Sequence, residues 1–183
     1  LVSEIVDRKG VVYDRIENPV GFRWFSFDAN KGFFINGKQT KLIGTCRHQD
    51  FYGKANAVSD EIHRNDMKLL KEMGSNFLRI GHYPQDPAIL EMCNKLGFVA
   101  TLEIPFVDKA AANEAGKQNS INMLKEAIRF NYNNPAIVAW NLGNETTMKA
   151  PETLGDDYVK HFVSTHQALA KTIKEEDKTR SSY

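Results

Sequence analysis

The hydrophobic and polar positions of this chain follow a short period at first and a longer one afterwards. Up to about residue 28 the apolar residues fall in brief β-like runs, Val2 to Val6, Val11 to Ile16 and Phe22 to Phe27. Asp7-Arg-Lys-Gly10 and Asn18-Pro-Val-Gly21 separate them, as turn residues do. Phe22, Trp24 and, after a slip of register, Phe27 are expected to share one face of a sheet. Two or three strands do not make a stable sandwich by themselves, so the segment reads as the closing strands of a domain that begins earlier. Next, Gly32-Phe-Phe-Ile-Asn-Gly-Lys carries Asn36-Gly37 between two strand-like runs, the strongest short-range signal for a hairpin.

From Lys41 onward strands alternate with helices. Leu42 to Cys46 reads as a strand, followed by a helix from Asp60, read as its cap, to Met73. Ile62, Met67, Leu69, Leu70 and Met73 recur on it at helical spacing, and Gly74 stops it. Asn76 to Ile80, Phe98 to Ile104 and Ala136 to Leu142 give three more strands. Helices are expected over 86–96, 120–132 and 156–176, and Gly97 stops the first of these. The charged stretch from Lys171 to Lys178 reads as a solvated face. A fifth strand is expected to begin near Thr179-Arg-Ser-Ser-Tyr183.

Successive βα units imply an α/β fold, a parallel sheet covered by helices. A complete eight-unit barrel needs about 250 residues, so the pattern fits a small doubly wound domain or the first half of a barrel. No Gly-x-Gly-x-x-Gly or phosphate-loop motif follows a strand, which weakens the nucleotide-binding alternative.

Composition narrows the partners rather than the fold. At 183 residues, 42% hydrophobic and 26% charged, the chain has the make-up of an ordinary globular protein. A net charge of +1 gives no footprint for nucleic acid or an acidic membrane surface. No apolar run approaches the length of a membrane span, and the start of the chain lacks a signal-peptide layout. Cys46 and Cys93 have no metal-ligand spacing and read as buried free thiols.

Candidate chemistry gathers where the strands end. The first finishes in Arg47-His48-Gln49-Asp50, the second in Arg79-Ile-Gly-His82-Tyr83-Pro84, the third in Glu103-Ile-Pro105 and the fourth in Asn144-Glu145. In parallel strands these groups converge on one mouth, as active-site groups do. A carboxyl group beside an amide is what acid catalysis on a sugar requires. Each residue also has a plainer reading. Asn144 and Glu145 suit the N-cap of the next helix. Arg79 can simply pair with a buried carboxylate such as Glu103, and His48 and His82 can be structural histidines. His63, His161 and His166 lie inside helices without partners at ligand spacing and read as surface residues. Trp140 faces either the core, the better choice, or a sugar.

Four motifs in order resemble glycoside hydrolase family two, which contains β-galactosidases, β-glucuronidases and β-mannosidases. They are Gly32-Phe-Phe-Ile-Asn-Gly-Lys, Gly44-Thr-Cys-Arg-His-Gln-Asp50, Arg79-Ile-Gly-His-Tyr-Pro84 and Asn141-Leu-Gly-Asn-Glu145. The resemblance implies that 1–28 are the last strands of an immunoglobulin-like β-sandwich and 29–183 the N-terminal half of a (β/α)8 TIM barrel. It implies a retaining mechanism with Glu145 as general acid/base and Asn144 on the sugar 2-hydroxyl. His48 and His82 would line the sugar subsite, while Arg79 and Glu103 would support the nucleophile. That nucleophile is a second glutamate near the seventh strand, past the reach of this chain.

Some β-galactosidases of the family bind magnesium soon after the third strand. The matching positions here, Val107 and Lys109, cannot replace those ligands, so the resemblance implies no such metal site and no cofactor. Terminal β-D-galactosides are the first substrate expectation and β-D-glucuronides the second. Open sheet edges also predict self-association into a homo-oligomer, and a third expectation is that the chain alone is only an inactive binding or assembly module.

Overall fold

Asn-Gly, with its tolerance for positive φ, turns the chain where the sequence pattern asks for a turn. In the computed structural model, which describes residues 1–108, 112–146 and 155–183, Asn36 and Gly37 have φ of 51° and 77°. They join β4 (Gly32–Ile35) to β5 (Lys38–Gln39), and β3 (Phe25–Asp28) pairs antiparallel with the other side of β4. Ahead of this sheet, β1 (Val2–Val6) and β2 (Val12–Glu17) form a separate antiparallel pair. Phe22, Trp24 and Phe27 do not share a face. Phe22 is 97% exposed, and β3 starts only at Phe25. Arg23 explains the delay. Its guanidinium donates to the carbonyls of Pro135 and Ile137 at 3.0 and 2.8 Å, which holds this stretch outside any ladder.

The alternating region becomes one parallel sheet in the order β10-β9-β8-β7-β6, with ranges β6 (Gly44–Arg47), β7 (Phe77–Ile80), β8 (Val99–Glu103), β9 (Ile137–Asn141) and β10 (Ser181–Ser182). The connections carry α1 (Asp60–Glu72), α2 (Pro87–Leu96), α3 (Glu114–Asn131) and α4 (Gly155–Glu176). This is the succession of a partial (β/α) barrel preceded by antiparallel strands. The short β10, paired with β9, is the expected fifth strand.

Two apolar clusters hold the sheet. Leu78, Ile80, Leu102, Ile128, Trp140 and Leu169 are fully buried between strands and helices, each stabilising by ~1.5–3 kcal/mol relative to exposure. The second cluster joins Phe33, Val99 and Val138 with Phe25, Leu42 and Phe77. These strand residues lie at the N-terminal ends of β7, β8 and β9, so the β3–β5 sheet covers that end. Gly44 is required for the strands to close up there, since a Cβ on it would lie 1.8 Å from the Phe77 carbonyl oxygen.

β9 departs from strict alternation. Ala100 pairs with Ile137 and Thr101 with Ala139, which leaves Val138 as an extra residue. Ile137 and Trp140 both face the helices, and Val138 joins the opposite cluster.

Three helix expectations change. Ser59, not Asp60, holds the cap position of α1, while Asp60 and Glu61 supply acid to the first turn, where the helix dipole favours it. α3 begins at Glu114 rather than 120, because Asn113 caps it by accepting from Gly116 N at 2.8 Å. The tail of α4 is not wholly solvated, because Asp177 is 1% exposed and accepts from Trp140 Nε1 at 2.9 Å. The same bond settles Trp140 in the core. α2 follows its signals, with Asp86 capping at Ala88 N and Gly97 in the left-handed region at the end. No described helix is long and apolar enough to cross a membrane.

Candidate active site

The C-terminal ends of β6 to β9 carry the polar groups. Glu103, the last residue of β8, is fully buried and is held by three donors. Arg79 Nη2 donates to its Oε2 at 2.6 Å, His82 Nδ1 to its Oε1 at 2.6 Å, and Asn141 Nδ2 also donates to Oε2. A carboxylate buried with this many donors keeps its charge compensated. The plainer reading of Arg79 and Glu103 as an ion pair is therefore realised. Burial alone would lower the Arg79 pKa, but the Glu103 charge and hydrogen bond outweigh it and hold the guanidinium above its usual value.

Arg79 Nη2 has two hydrogens and two good acceptors. One is Glu103; the other is Asn144 Oδ1 at 2.8 Å. Accepting through Oδ1 fixes the amide so that its NH2 is the end offered outward. His82 is fixed in the same way. Because its Nδ1 donates to a carboxylate, its neutral ring presents Nε2 as an acceptor. His48 is exposed and meets the His82 ring edge-on at 4.9 Å, so the two predicted histidines stand together.

Asn144 and Glu145 do not occupy the N-cap of α4, which begins at Gly155. The Asn144 backbone instead continues the sheet. Its N donates to Phe106 O at 3.0 Å, its O accepts from Asp108 N at 3.1 Å, and it bridges to Val107. Gly143 lets the loop lie this close, because a Cβ there would be 2.5 Å from Phe106 O. Glu145 then takes φ of 50° and is exposed. Left-handed backbone at a non-glycine residue costs on the order of 1 kcal/mol and concentrates at functional sites.

Other histidines depart from expectation. His63 is fully buried, not a surface residue, and its Nδ1 lies 2.9 Å from Arg47 Nη2, sixteen residues back in sequence. Burial first, and the Arg47 charge second, hold its pKa below the usual histidine value. His166 is half-buried against Phe162, with ring centroids 4.1 Å apart, and burial lowers its pKa as well. His161 is half-buried too. Cys93 is buried, which pushes its thiol up to about 12, whereas Cys46 is only half-buried and lies 4.0 Å from His48 Nε2. Lys109 lies outside the described residues.

Asn141 and Gln85 were not singled out from sequence. Asn141 was legible as a polar side chain closing an apolar strand; it donates to Glu103 and accepts from Gly143 N at 3.3 Å. Below these groups, the inner face of the sheet borders a cavity of about 550 Å³ lined by Phe27, Leu42, Phe77, Arg79, Thr101 and Tyr183. It becomes more polar upward, with Tyr183 Oη and Thr101 Oγ1 2.8 Å apart.

Chemically, the site offers one exposed carboxyl group, an oriented amide donor, an imidazole acceptor and a half-buried cation. That combination suits proton transfer to a hydroxylated substrate.

Comparison with known proteins identifies the family and the fold. The sequence profile of "Glycosyl hydrolases family 2, TIM barrel domain" matches residues 29–182. The chain is 43% identical over 173 residues to a putative β-glucuronidase of Formosa agariphila, covering 93% of this chain and 21% of that protein. It is 32% identical to the β-galactosidase BoGH2A of Bacteroides ovatus, covering 96% of this chain and 22% of that protein. Among solved structures, the β-glucuronidase of Bacteroides uniformis superposes with a TM-score of 0.89 at 41% identity, over 99% of this chain and 22% of that one. The chain thus spans about a fifth of the length of these relatives.

Proposed function

The chain belongs to glycosyl hydrolases family 2, in its TIM barrel domain, and from that premise we propose that it supplies the acid/base half of a retaining β-glycosidase. Glu145 protonates the glycosidic oxygen and then activates water for the second step. Asn144 donates its NH2 to the sugar 2-hydroxyl, a contact that strengthens as the oxocarbenium-like transition state forms. His82 and His48 line the sugar subsite. Arg79 and Glu103 set the field in which a nucleophilic carboxylate stays ionised. Residues 1–28 belong to a preceding β-sandwich domain, and the nucleophile lies on a part of the full-length protein outside this chain.

The observation that carries the reading is the shared Arg79 Nη2, which ties the buried Glu103 to Asn144 at 2.6 and 2.8 Å. It orients the amide immediately before Glu145. A structural ion pair alone has no need of that second acceptor.

For the substrate, terminal β-D-glucuronides come first. The two relatives named β-glucuronidase are 43% and 41% identical, and the one named β-galactosidase is 32% identical. That order reverses the expectation from the motifs, which put galactosides ahead. Turnover of p-nitrophenyl β-D-glucuronide against the β-D-galactoside by the full-length protein decides between them.

The acid role has its own test. Glu145→Gln in the full-length protein abolishes turnover of glycosides with poor leaving groups, while glycosylation by activated aryl glycosides falls far less, because they need little protonation. Equal loss of that step with both substrates would refute the assignment.

A further inference from the structure

Gln85, in the turn just before α2, has an amide whose two ends do different things. Its Oε1 accepts from Arg47 Nη1 at 2.7 Å. Its Nε2 donates to the carbonyl of Gly81 at 3.2 Å and also to the carbonyl of Arg47. Two hydrogens thus meet two carbonyls, and those carbonyls belong to the residues immediately preceding His82 and His48. Arg47 cannot swing away, because it is 8% exposed and also bonds Asp66 Oδ2 at 2.7 Å and His63 Nδ1 at 2.9 Å, both on α1. Two further bonds stitch the same strand ends together. Gln49 N donates to Tyr83 Oη at 2.9 Å, and Asp86 N donates to Gln49 Oε1 at 2.6 Å.

The geometry points to Gln85 as a positioning residue for the sugar subsite, one that fastens the peptide units carrying His48 and His82 at a fixed separation. The inference rests on the reading of those two histidines given above. Neither ring is close-packed on all sides, since His48 is exposed and His82 is half-buried. The Glu103 bond fixes the angle of the His82 ring, but the separation of the two rings depends on the backbones from which they hang. Gln85 is the side chain that donates to the carbonyls of both those peptide units. Glutamine fits because it combines an acceptor for the guanidinium with a donor for the carbonyls. Glutamate at this position keeps the first and, when ionised, lacks the second.

The test is a double-mutant cycle in the full-length protein, reading kcat and KM on the p-nitrophenyl glycoside that it hydrolyses. Gln85→Glu keeps the size and the Arg47 bond, and it lowers kcat/KM about tenfold through loss of the two donated bonds. In a His48→Ala/His82→Ala background the same substitution costs less than about twofold, because the groups it positions are gone. A tenfold loss that persists in that background overturns the proposal, as does a Gln85→Glu variant with wild-type kinetics. Wild-type kcat/KM in the double histidine variant instead refutes the subsite reading itself, and the proposal with it. If Gln85→Glu fails to accumulate as folded protein, Gln85→Met, which keeps the volume and removes the donor, enters the same cycle with the same outcomes.

Discussion

Two arginine–carboxylate pairs among the described residues have a fully buried carboxylate, and they are finished differently. In the first, Arg180 and Asp177 are 4% and 0% exposed at the side chain. Arg180 spends its donors on Asp177 and on the carbonyls of Ile137, Tyr132 and Asn134. Asp177 accepts in addition from Trp140 Nε1, Thr179 N and Thr179 Oγ1. In the second pair Glu103 is equally buried, but Arg79 is 29% exposed. From Nη2 it donates to Glu103 and Asn144, with His82 Nδ1 a further 3.4 Å away. The first pair is closed and ties the end of α4 to β9. The second is open on one side, toward the cavity. The two carboxylates are equally buried; what differs is how completely their arginines are hydrogen-bonded.

The closed pair can be broken first. Asp177→Ala leaves Arg180 buried without its carboxylate, and it lowers unfolding free energy by about 3–5 kcal/mol. A urea titration of the full-length protein checks this, with kcat per folded molecule unchanged. The same pair sets an acid dependence. Burial pushes the Asp177 carboxyl up, but the donors from Arg180, Thr179 and Trp140 outweigh it and hold its pKa below the ordinary aspartate value. A lowered folded-state pKa adds stability at pH values above the unfolded pKa of about 3.9, lost as pH falls further through the folded value. The Asp177→Ala variant therefore loses less stability on acidification than the wild type does.

The open pair responds in the other measurement. Glu103→Gln keeps the shape and removes the charge that anchors Arg79 and His82, lowering kcat/KM by about tenfold to a hundredfold. Its unfolding midpoint moves less than that of Asp177→Ala, because solvent reaches the exposed side of Arg79. A larger stability loss than in Asp177→Ala, with kinetics unaltered, would erase the distinction between the pairs. The smallest effect belongs to Trp140→Phe. It keeps an aromatic ring of smaller volume and removes one of the donors to Asp177, at a cost of about 2 kcal/mol seen as a lowered Tm.

The sequence carried the βα succession well, because local signals mark it: Gly97 ends α2, Asp86 caps it, and Asn36-Gly37 makes the hairpin. The strand-end residues were legible for the same reason, since each closes an apolar run with a polar group. What escaped depends on partners distant in the chain. His63 looked like a surface residue because Arg47, which covers its Nδ1, lies on another element. Asp177 looked solvated inside a charge-rich tail, yet that tail folds back onto Trp140, and Arg180 just beyond it reaches the Ile137 carbonyl. The first turns of α3 carry no apolar stripe, so only the Asn113 cap betrays them. Gln85 escaped because a lone glutamine before a helix has no local signature of what its amide spans.

The extra residue in β9 is an insertion whose phase shift the fold absorbs. Val138 and Ala139 both line the cavity face, so Ile137 and Trp140 stay toward the helices and Asn141 toward Glu103. Deleting Val138 would leave Ile137 opposite Ala100 and Ala139 opposite Thr101, a regular ladder with the indole and the amide on the faces they already hold. What it would remove is the apolar contact with Phe33 and Val99 at the covered end of the sheet. Length at this one point of the chain is therefore less constrained than elsewhere in the strand. Deleting Ala139 as well would shift Trp140 and Asn141 by one position and send the indole into the cavity.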